Sequence, residues 1–254
     1  AGVVSEDVTI STSGSLTVSD ADAGQSSFVA QIGTIGTYGK FSIDANGQWT
    51  YDLDNAAPAV QALQAGETKT ESFDVASADG TKSSVTITIT GTNDVPVATA
   101  ATGAVTEDQT ITGTISASDV DLPAGSSLVF TTTSSVAGLT LNPNGSYTFD
   151  ASSYDSLKAG ETQVINVPVT VTDDQGATAN TTLTITIAGT NDAPVATAAT
   201  GAVTEDATIT GTISASDVDL PSTSSLTFST PSTVTGLTLN PNGSYTFDAS
   251  SYDN

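Results

Sequence analysis

Threonine alternates with isoleucine, valine or leucine along "SVTITITG" (84–91), and again along "TLTITIAG" (182–189). A period of two puts one face of each segment in a core and the other in water, which is the pattern of a half-buried strand. "LTLNPNGSYTF" (139–149) sets Asn-Gly between alternating apolar positions, and "FSIDANGQWTY" (41–51) does the same. Asn-Gly admits the positive backbone angles of a tight turn, so both stretches predict β-hairpins. Trp49 and Tyr147 fall on their inward faces and are expected to fill a core beside the turn. No stretch carries a convincing helical period; "AVQALQAGE" (59–67) suffices for one short turn of helix.

These patterns recur. Residues 91–123 and 189–221 are the same text with two changes, Val95 against Ala193 and Gln109 against Ala207, at an offset of 98. "GLTLNPNGSYTFDASSYD" occurs at 138–155 and at 236–253 with the same offset. A more divergent copy opens the chain, where "VSEDVTISTSGSLTVSDADAG" (4–24) parallels "VTEDQTITGTISASDVDLP". A period of that length is one small domain, not a solenoid unit. The reading is domain 1 at 1–90, domain 2 at 91–188, and an incomplete third copy at 189–254 that lacks a counterpart of 157–188. About seven short strands per copy, separated by turn signals, predict an all-β fold of tandem immunoglobulin-like sandwiches placed end to end.

Charge changes the picture. The 254 residues include 28 acidic groups and four basic ones, all lysine, for a net charge of −24, with no His, Cys or Met. So few cations exclude nucleic acid, whose binding needs Lys and Arg to displace counterions, and disfavour anionic membrane surfaces. No apolar run is long enough for a transmembrane helix, so no direct membrane insertion is expected. Without Cys there is no disulfide framework or thiolate metal site. The lack of an initiator Met suggests a piece of a longer chain. Unpaired carboxylates oppose a compact state, and a divalent cation is the local means of offsetting them.

The acids sit where strands end. Asp94 opens domain 2, Glu107 lies about a strand's length away at the opposite pole, and the return strand brings Asp119 and Asp121 back to the first pole. Asp173 follows "VPVTVT" (167–172) at that same pole. Each Asn-Asp-x-Pro linker then lies between a Glu of the preceding domain and an Asp-x-Asp of the next. Oxygen ligands without nitrogen or sulfur partners suit a hard cation, Ca²⁺ before Mg²⁺.

The arrangement resembles the cadherin repeat, with its Glu after the first strand, Asp-x-Asp after the second, a late-strand Asp and an Asn-Asp-containing linker. That resemblance implies a first junction of Glu6, Asn93, Asp94, Asp119, Asp121 and Asp173, and a second of Glu107, Asn191, Asp192, Asp217 and Asp219. It places Asp20, Asp22 and Asp79 toward a domain ahead of residue 1. Gly91 and Gly189 stand where the family has its first linker Asp, and only Asp54 and Asp155 stand in for its Leu-Asp-Arg-Glu, which implies one or two ions per junction. The whole text, "VSED…NGQWTYDLDN…LQAGE…FDVASADG…VTITITGTND", is similar to the VCBS-type, cadherin-like repeats of large bacterial adhesins exported by type I secretion. This implies an extracellular, calcium-stiffened extender whose partners are neighbouring repeats of the same chain.

Other classes are weighed against this one. Without His or Cys, triads and most general-base schemes are unavailable, and a catalytic carboxylate pair is not expected in every tandem copy, so no enzyme is anticipated. A Ca²⁺-dependent glycan-binding module shares the acidity but is not expected to fill consecutive near-identical copies. A fibre subunit, self-associating through an incomplete third copy completed by strands of another chain, remains the structural rival.

Overall fold

Alternation becomes strand wherever an apolar face finds a second sheet. The computed structural model describes residues 1–19 and 25–252. Domain 1 contains β1 (Gly2–Ser5), β2 (Ser11–Ser15), β3 (Gln31–Ile35), β4 (Gly39–Ile43), β5 (Gln48–Leu53), β6 (Thr68–Ala76) and β7 (Lys82–Thr90). The sheet β1-β7-β6 faces the sheet β2-β5-β4-β3. β1 runs parallel to β7, from Gly2 opposite Ile87 to Ser5 opposite Thr90. One turn of helix, α1 (Pro58–Gln61), starts on a proline and buries Val60, placing helix within the one stretch that allowed it.

Between the sheets lie Phe41, Ile43, Trp49, Tyr51, Phe73, Val75, Val85, Ile87 and Ile89, all buried. Phe41 stacks on Phe73 with ring centroids 4.8 Å apart. Gly14, opposite Trp49 in the β2–β5 ladder, has no room for a side chain: a Cβ there would stand 2.5 Å from the indole.

Domain 2 repeats the plan with more breaks. Its strands are β8 (Val97–Ala98), β9 (Ala101–Thr106), β10 (Thr110–Thr114), β11 (Ala117–Ser118), β12 (Val129–Thr131), β13 (Leu139–Leu141), β14 (Ser146–Asp150), β15 (Thr162–Thr172) and β16 (Thr178–Ala188). The sheet β12-β15-β16-β9 packs on β10-β14-β13, with β8 joined to β11. β9 lies parallel to β16, from Ala101 opposite Leu183 to Thr106 opposite Ala188. The first strand is therefore not one continuous run from Asp94 to Glu107. It pairs with β11 as β8, then crosses to the other sheet as β9. The core gathers Tyr147, Phe149, Val167, Val169, Val171, Leu183, Ile185 and Ile187.

The third copy forms β17 (Val195–Thr197), β18 (Thr208–Thr212), β19 (Ser214–Ser216), β20 (Leu237–Leu239) and β21 (Ser244–Asp248). The β18-β21-β20 sheet repeats the register of β10-β14-β13, with Gly211 opposite Tyr245 as Gly113 is opposite Tyr147. Among the described residues nothing equivalent to β15 and β16 covers it. Tyr245 and Phe247 are half-buried, where Tyr147 and Phe149 are 4% and 0% exposed. Ile209, Ile213, Leu237, Tyr245 and Phe247 line an open cleft of about 700 Å³.

Candidate functional site

The Glu-Asp pair that recurs in every copy is a turn as well as a charge. Asp7, Asp108 and Asp206 are the described non-glycine residues with positive φ, at 56°, 63° and 61°. Asp tolerates this left-handed region better than most residues. The kink ends β1 and β9 and drops the preceding Glu inside. Glu6 N–H continues the parallel ladder to Thr90 O at 3.0 Å, and Glu107 N–H does so to Ala188 O at 3.0 Å. Both carboxylates are buried, with 0% and 2% exposure. Glu205 in the third copy has no such ladder and stays exposed.

The linker closes over each buried Glu. Thr92 N–H donates to Glu6 Oε2 at 3.1 Å, and Gln61 Nε2 donates to its Oε1 at 3.0 Å. Thr190 donates to Glu107 Oε1 through its backbone N–H and through Oγ1 at 3.0 Å. On the far side of the first linker, Asp94 N–H reaches Asp121 Oδ2 at 3.4 Å, and Asp121 N–H donates to Asp119 Oδ1 at 3.3 Å. Asn93 Nδ2 donates to Asp173 Oδ2 at 2.8 Å. Asp173 Oδ1 also accepts from the N–H groups of Gln175 and Ala177, at 2.9 and 2.8 Å.

The first junction thus gathers Glu6, Asn93, Asp94, Asp119, Asp121 and Asp173 around one linker, with Asp121 and Asp173 buried. At the second, Asp192 feels Asp108, Glu107, Asp219 and Asp155, and Asp217 is held against Asp219. Asp219 is buried, and Asn191 Nδ2 donates to the carbonyl of Asp192 at 2.6 Å. Asp20 and Asp22 lie outside the described residues. Asp79 stands at the tip of the β6–β7 hairpin, bonded to Ser77 Oγ and to Thr81. The register position that Asp173 holds in domain 2 belongs to Ser77: both begin their hairpin loop and donate N–H across it, to Thr81 O at 3.0 Å and to Ala177 O at 3.1 Å. Two groups beside the first site are not legible as partners in the sequence, Asn55 and Gln61, while Asp155, which the family pattern offers as a stand-in ligand, lies beside Asp108 and Asp192 at the second. They come from loops whose lengths differ between the copies.

Crowding shows in the proton affinities. Burial, with Asp94, Asp7 and Asp121 nearby, pushes the Glu6 carboxyl up to about 7 against the pull of the Thr92 N–H. Burial and the Asp121 carboxyl raise Asp119 to about 6. Asp94 is raised by burial, then by Asp121 and Asp7. Burial also acts on Asp173, but the Asn93 amide and the N–H groups of Ala177, Gln175 and Gly176 outweigh it and hold that carboxyl below the ordinary range. Among the described residues no lysine is a leading influence on these acids. The two ion pairs among the described residues join Lys69 to Glu67 and Lys158 to Glu161.

A pH dependence follows. A carboxyl with a raised folded value favours the folded state while protonated; that contribution is full below its unfolded value and is lost as pH rises through the folded one. In chelator the melting temperature is therefore expected to fall as pH rises from 4.5 to about 7, and Glu6→Gln is expected to flatten the slope. Thermal melts between about pH 5 and pH 8 read this out. A slope unchanged in Glu6→Gln would assign the effect elsewhere. The lowered value of Asp173 acts in the opposite sense and below this window.

Among the described residues, the side-chain oxygens that are buried without any hydrogen-bond donor all belong to junction carboxylates: Asp94 Oδ2, Glu107 Oε2, Asp119 Oδ2, Asp155 Oδ1, Asp192 Oδ2 and Asp217 Oδ1. An orphaned buried acceptor is costly, and six of them at two poles mark a place for positive charge. Among the described residues no three acids already close into a cage around an ion. The donor set is all oxygen, partly desolvated and without a protein cation, which fits a hard divalent ion.

Two sandwiches in series, each closed at its pole by a buried Glu and an acidic linker, define a tandem cadherin-like array. The bacterial cadherin-like domain matches residues 1–91 and 93–189, and the chain belongs to that family. Among solved structures it is similar to mouse cadherin-23 EC22–24, at 17% identity and a TM-score of 0.54, over 99% of this chain and 86% of that one. It is also similar to PcdhgB3 EC1–4, at 14% identity and 0.51, over 97% of this chain and 64% of that one. For the extracellular domain of protocadherin gammaB4 the values are 15% and 0.50, over 99% of this chain and 45% of that one. The chain thus spans less than two thirds of either protocadherin structure. These likenesses concern the fold. A comparison with curated protein sequences gives no match.

Proposed function

We propose that this chain is an extender segment of a secreted bacterial surface adhesin of the VCBS-type, type I-secreted kind, stiffened by Ca²⁺ at its junctions and used for attachment and biofilm formation. The observation that supports it is the set of donor-less buried carboxylate oxygens repeated at successive domain junctions. Ca²⁺ bound there supplies the positive charge that the junction lacks. The chain's own residues do the rest. Glu6 and Glu107 are held inside by the parallel ladder, Asn93 orients Asp173, and Asp121 takes the N–H of Asp94. The first linker is thereby tied to domains on both sides, and the second to the Glu107 of the domain before it. The role is non-enzymatic and extracellular, and among the described residues no helix is long and apolar enough to cross a membrane.

Small-angle scattering tests this. With chelator, like charges at the linker are expected to spread the inter-domain angle; with millimolar Ca²⁺ the two complete domains are expected to align into a rod of about 80 Å, at roughly 40 Å each from strand length. A maximum dimension indifferent to Ca²⁺ overturns the stiffening. Asp119→Ala with Asp121→Ala is expected to abolish the change, and Asp150→Ala, whose carboxylate caps Ser152 at 3.0 Å, is expected to leave it. The open cleft of the third copy favours a second reading, self-association through completion by another chain, which the molecular mass in the same experiment reports.

A further inference from the structure

The chain holds three Asn-Gly pairs, at 46–47, 144–145 and 242–243, one in the hairpin turn of each copy. The backbone is the same in all three. Gly47, Gly145 and Gly243 have φ of 80°, 84° and 83°. Each donates its N–H to the carbonyl three residues back: Asp44 at 3.1 Å, Asn142 at 2.9 Å and Asn240 at 2.9 Å. A Cβ on any of them would stand 2.3–2.5 Å from a backbone oxygen, of Leu16, Ile115 or Ile213. The turn therefore fixes glycine at this position in every copy, and the asparagine before it is exposed in every copy.

The side chains differ. In domain 2 the Asn144 carboxamide is tethered. Its Oδ1 accepts from Ser146 N–H at 3.1 Å and from Ser146 Oγ at 2.7 Å, and Asn142 Nδ2 donates to the same Oγ at 3.0 Å. The third copy repeats this, with Ser244 N–H and Oγ donating to Asn242 Oδ1 at 3.0 and 2.8 Å and Asn240 Nδ2 donating to Ser244 Oγ at 2.9 Å. In domain 1, Asp44 stands in the place of Asn142 and Gln48 in the place of Ser146. Asp44 Oδ1 takes the N–H of Gln48 at 2.8 Å and that of Asn46 at 2.9 Å. The donor that tethers the asparagine in the other copies is thus claimed by a charged, stronger acceptor, and Gln48 has no hydroxyl to supply the second bond. Among the described residues the Asn46 carboxamide has no hydrogen-bond partner.

We propose that Asn46 is a site of spontaneous, backbone-assisted deamidation, from which Asn144 and Asn242 are protected by their serine tethers. The Gly47 nitrogen gives its proton to hydroxide and attacks Asn46 Cγ. The bond from Cγ to the side-chain nitrogen breaks, and that nitrogen leaves as ammonia with a proton from water. Water then opens the cyclic imide at either carbonyl, giving aspartate or isoaspartate. Glycine places no Cβ beside the attacking nitrogen. The attack still requires the carboxamide to swing until Cγ meets that nitrogen. Asn46 swings unhindered, whereas Asn144 and Asn242 must first break their bonds from serine. The product matters because the turn is used by neighbouring chain: Gly47 O accepts from Leu16 N–H at 2.9 Å and Ala45 O from Phe28 N–H at 3.0 Å. Isoaspartate lengthens the backbone between these two acceptors by a methylene and sets a second carboxylate beside Asp44, so it loosens the β4–β5 hairpin at its tip.

The test is peptide mapping by mass spectrometry of the whole chain, aged in mildly alkaline buffer made with heavy-oxygen water so that each event leaves a label. Loss of Asn46 is expected to run about tenfold faster than loss of Asn144 or Asn242, a difference of about 1.4 kcal/mol, the net worth of one or two hydrogen bonds. Asp44→Asn with Gln48→Ser rebuilds the tethered turn and is expected to slow Asn46 to the rate of the other two. Asn142→Asp with Ser146→Gln is expected to speed Asn144 to the rate of Asn46. In urea, where no tether survives, the three are expected to react at similar rates. Equal rates in the folded wild type overturn the proposal, and so does a difference that persists undiminished in urea. Faster loss at Asn144 also overturns it, since its bonds would then activate the carbonyl and not hold it.

Discussion

Adding millimolar Ca²⁺ to the chelated protein is expected to raise its melting temperature by about 10–20 °C. The size follows from linkage: an ion bound only by the folded junction stabilises it by about 2.7 kcal/mol at a hundredfold excess over the dissociation constant. One kcal/mol moves the midpoint of a domain of about 100 residues by roughly 4–8 °C. A domain of this size is stable by only about 5–15 kcal/mol in total, so a filled junction is a large share of the whole. The effect is expected to be ion-specific, because Mg²⁺ keeps its waters and demands a tighter octahedron. Scans at fixed ionic strength with Ca²⁺, Mg²⁺ and matched NaCl decide the matter. Equal shifts from all three would mean that −24 net charge needs screening alone. In a cytosol poor in Ca²⁺ the same chain is expected to remain loosely folded, a state suited to passage through a secretion channel before the ion completes folding outside.

The second large effect lies in the third copy. Amides of Thr208–Thr212 and Ser244–Asp248 are expected to exchange with solvent about a thousandfold faster than those of Val167–Val171 and Leu183–Ile187, a difference in opening free energy of roughly 4 kcal/mol. The ladders are equally regular in the two regions. What differs is cover: Val167, Val169, Val171, Leu183, Ile185 and Ile187 are buried between two sheets, whereas Tyr245 and Phe247 line an open cleft. Appending a second copy of residues 157–188 after Asn254 is expected to close the cleft and slow the exchange to the rate in domain 2. Slow exchange in the monomeric 254-residue chain would show that the first part of the repeat is a folding unit by itself.

The sandwich was legible because its cause is local. Alternation along 84–91 and 182–189 became β7 and β16, the Asn-Gly pairs became the turns into β5 and β14, and Trp49 and Tyr147 are buried beside them. The broken first strand of domain 2 was not legible. Its change of sheet between Ala98 and Ala101 depends on which neighbour offers free backbone groups, a non-local matter. For the same reason, among the described residues, the counterpart of β12 in domain 1 is only a single bridge, Phe28 to Ser77, while β12 pairs with β15 over three residues. The junction acids could be placed from strand lengths, since each follows the end of a strand. Their partners could not. Thirteen residues separate Leu53 from Glu67, but nine separate Ala151 from Glu161. No constant offset therefore aligns Asn55 with Asp155. Asp79 shows the converse: a motif match two residues from the position at which the backbone sets Ser77 and Asp173 equivalent.

The parallel pairing of first and last strands has a consequence for load. Tension along the array pulls β1 by its leading end and β7 by its trailing end, in opposite directions along a shared seam. The bonds of that seam, from Gly2 opposite Ile87 to Ser5 opposite Thr90, are then strained together in shear and do not open one after another like a zip. Domain 2 carries the longer seam, from Ala101 opposite Leu183 to Thr106 opposite Ala188. Resistance to forced unfolding is a matter of the barrier and not of equilibrium stability, and bonds that must break at once raise that barrier. Pull on such a chain passes from domain to domain through its hydrogen-bonded edges, and under rising force domain 1, with the shorter seam, is expected to give way before domain 2.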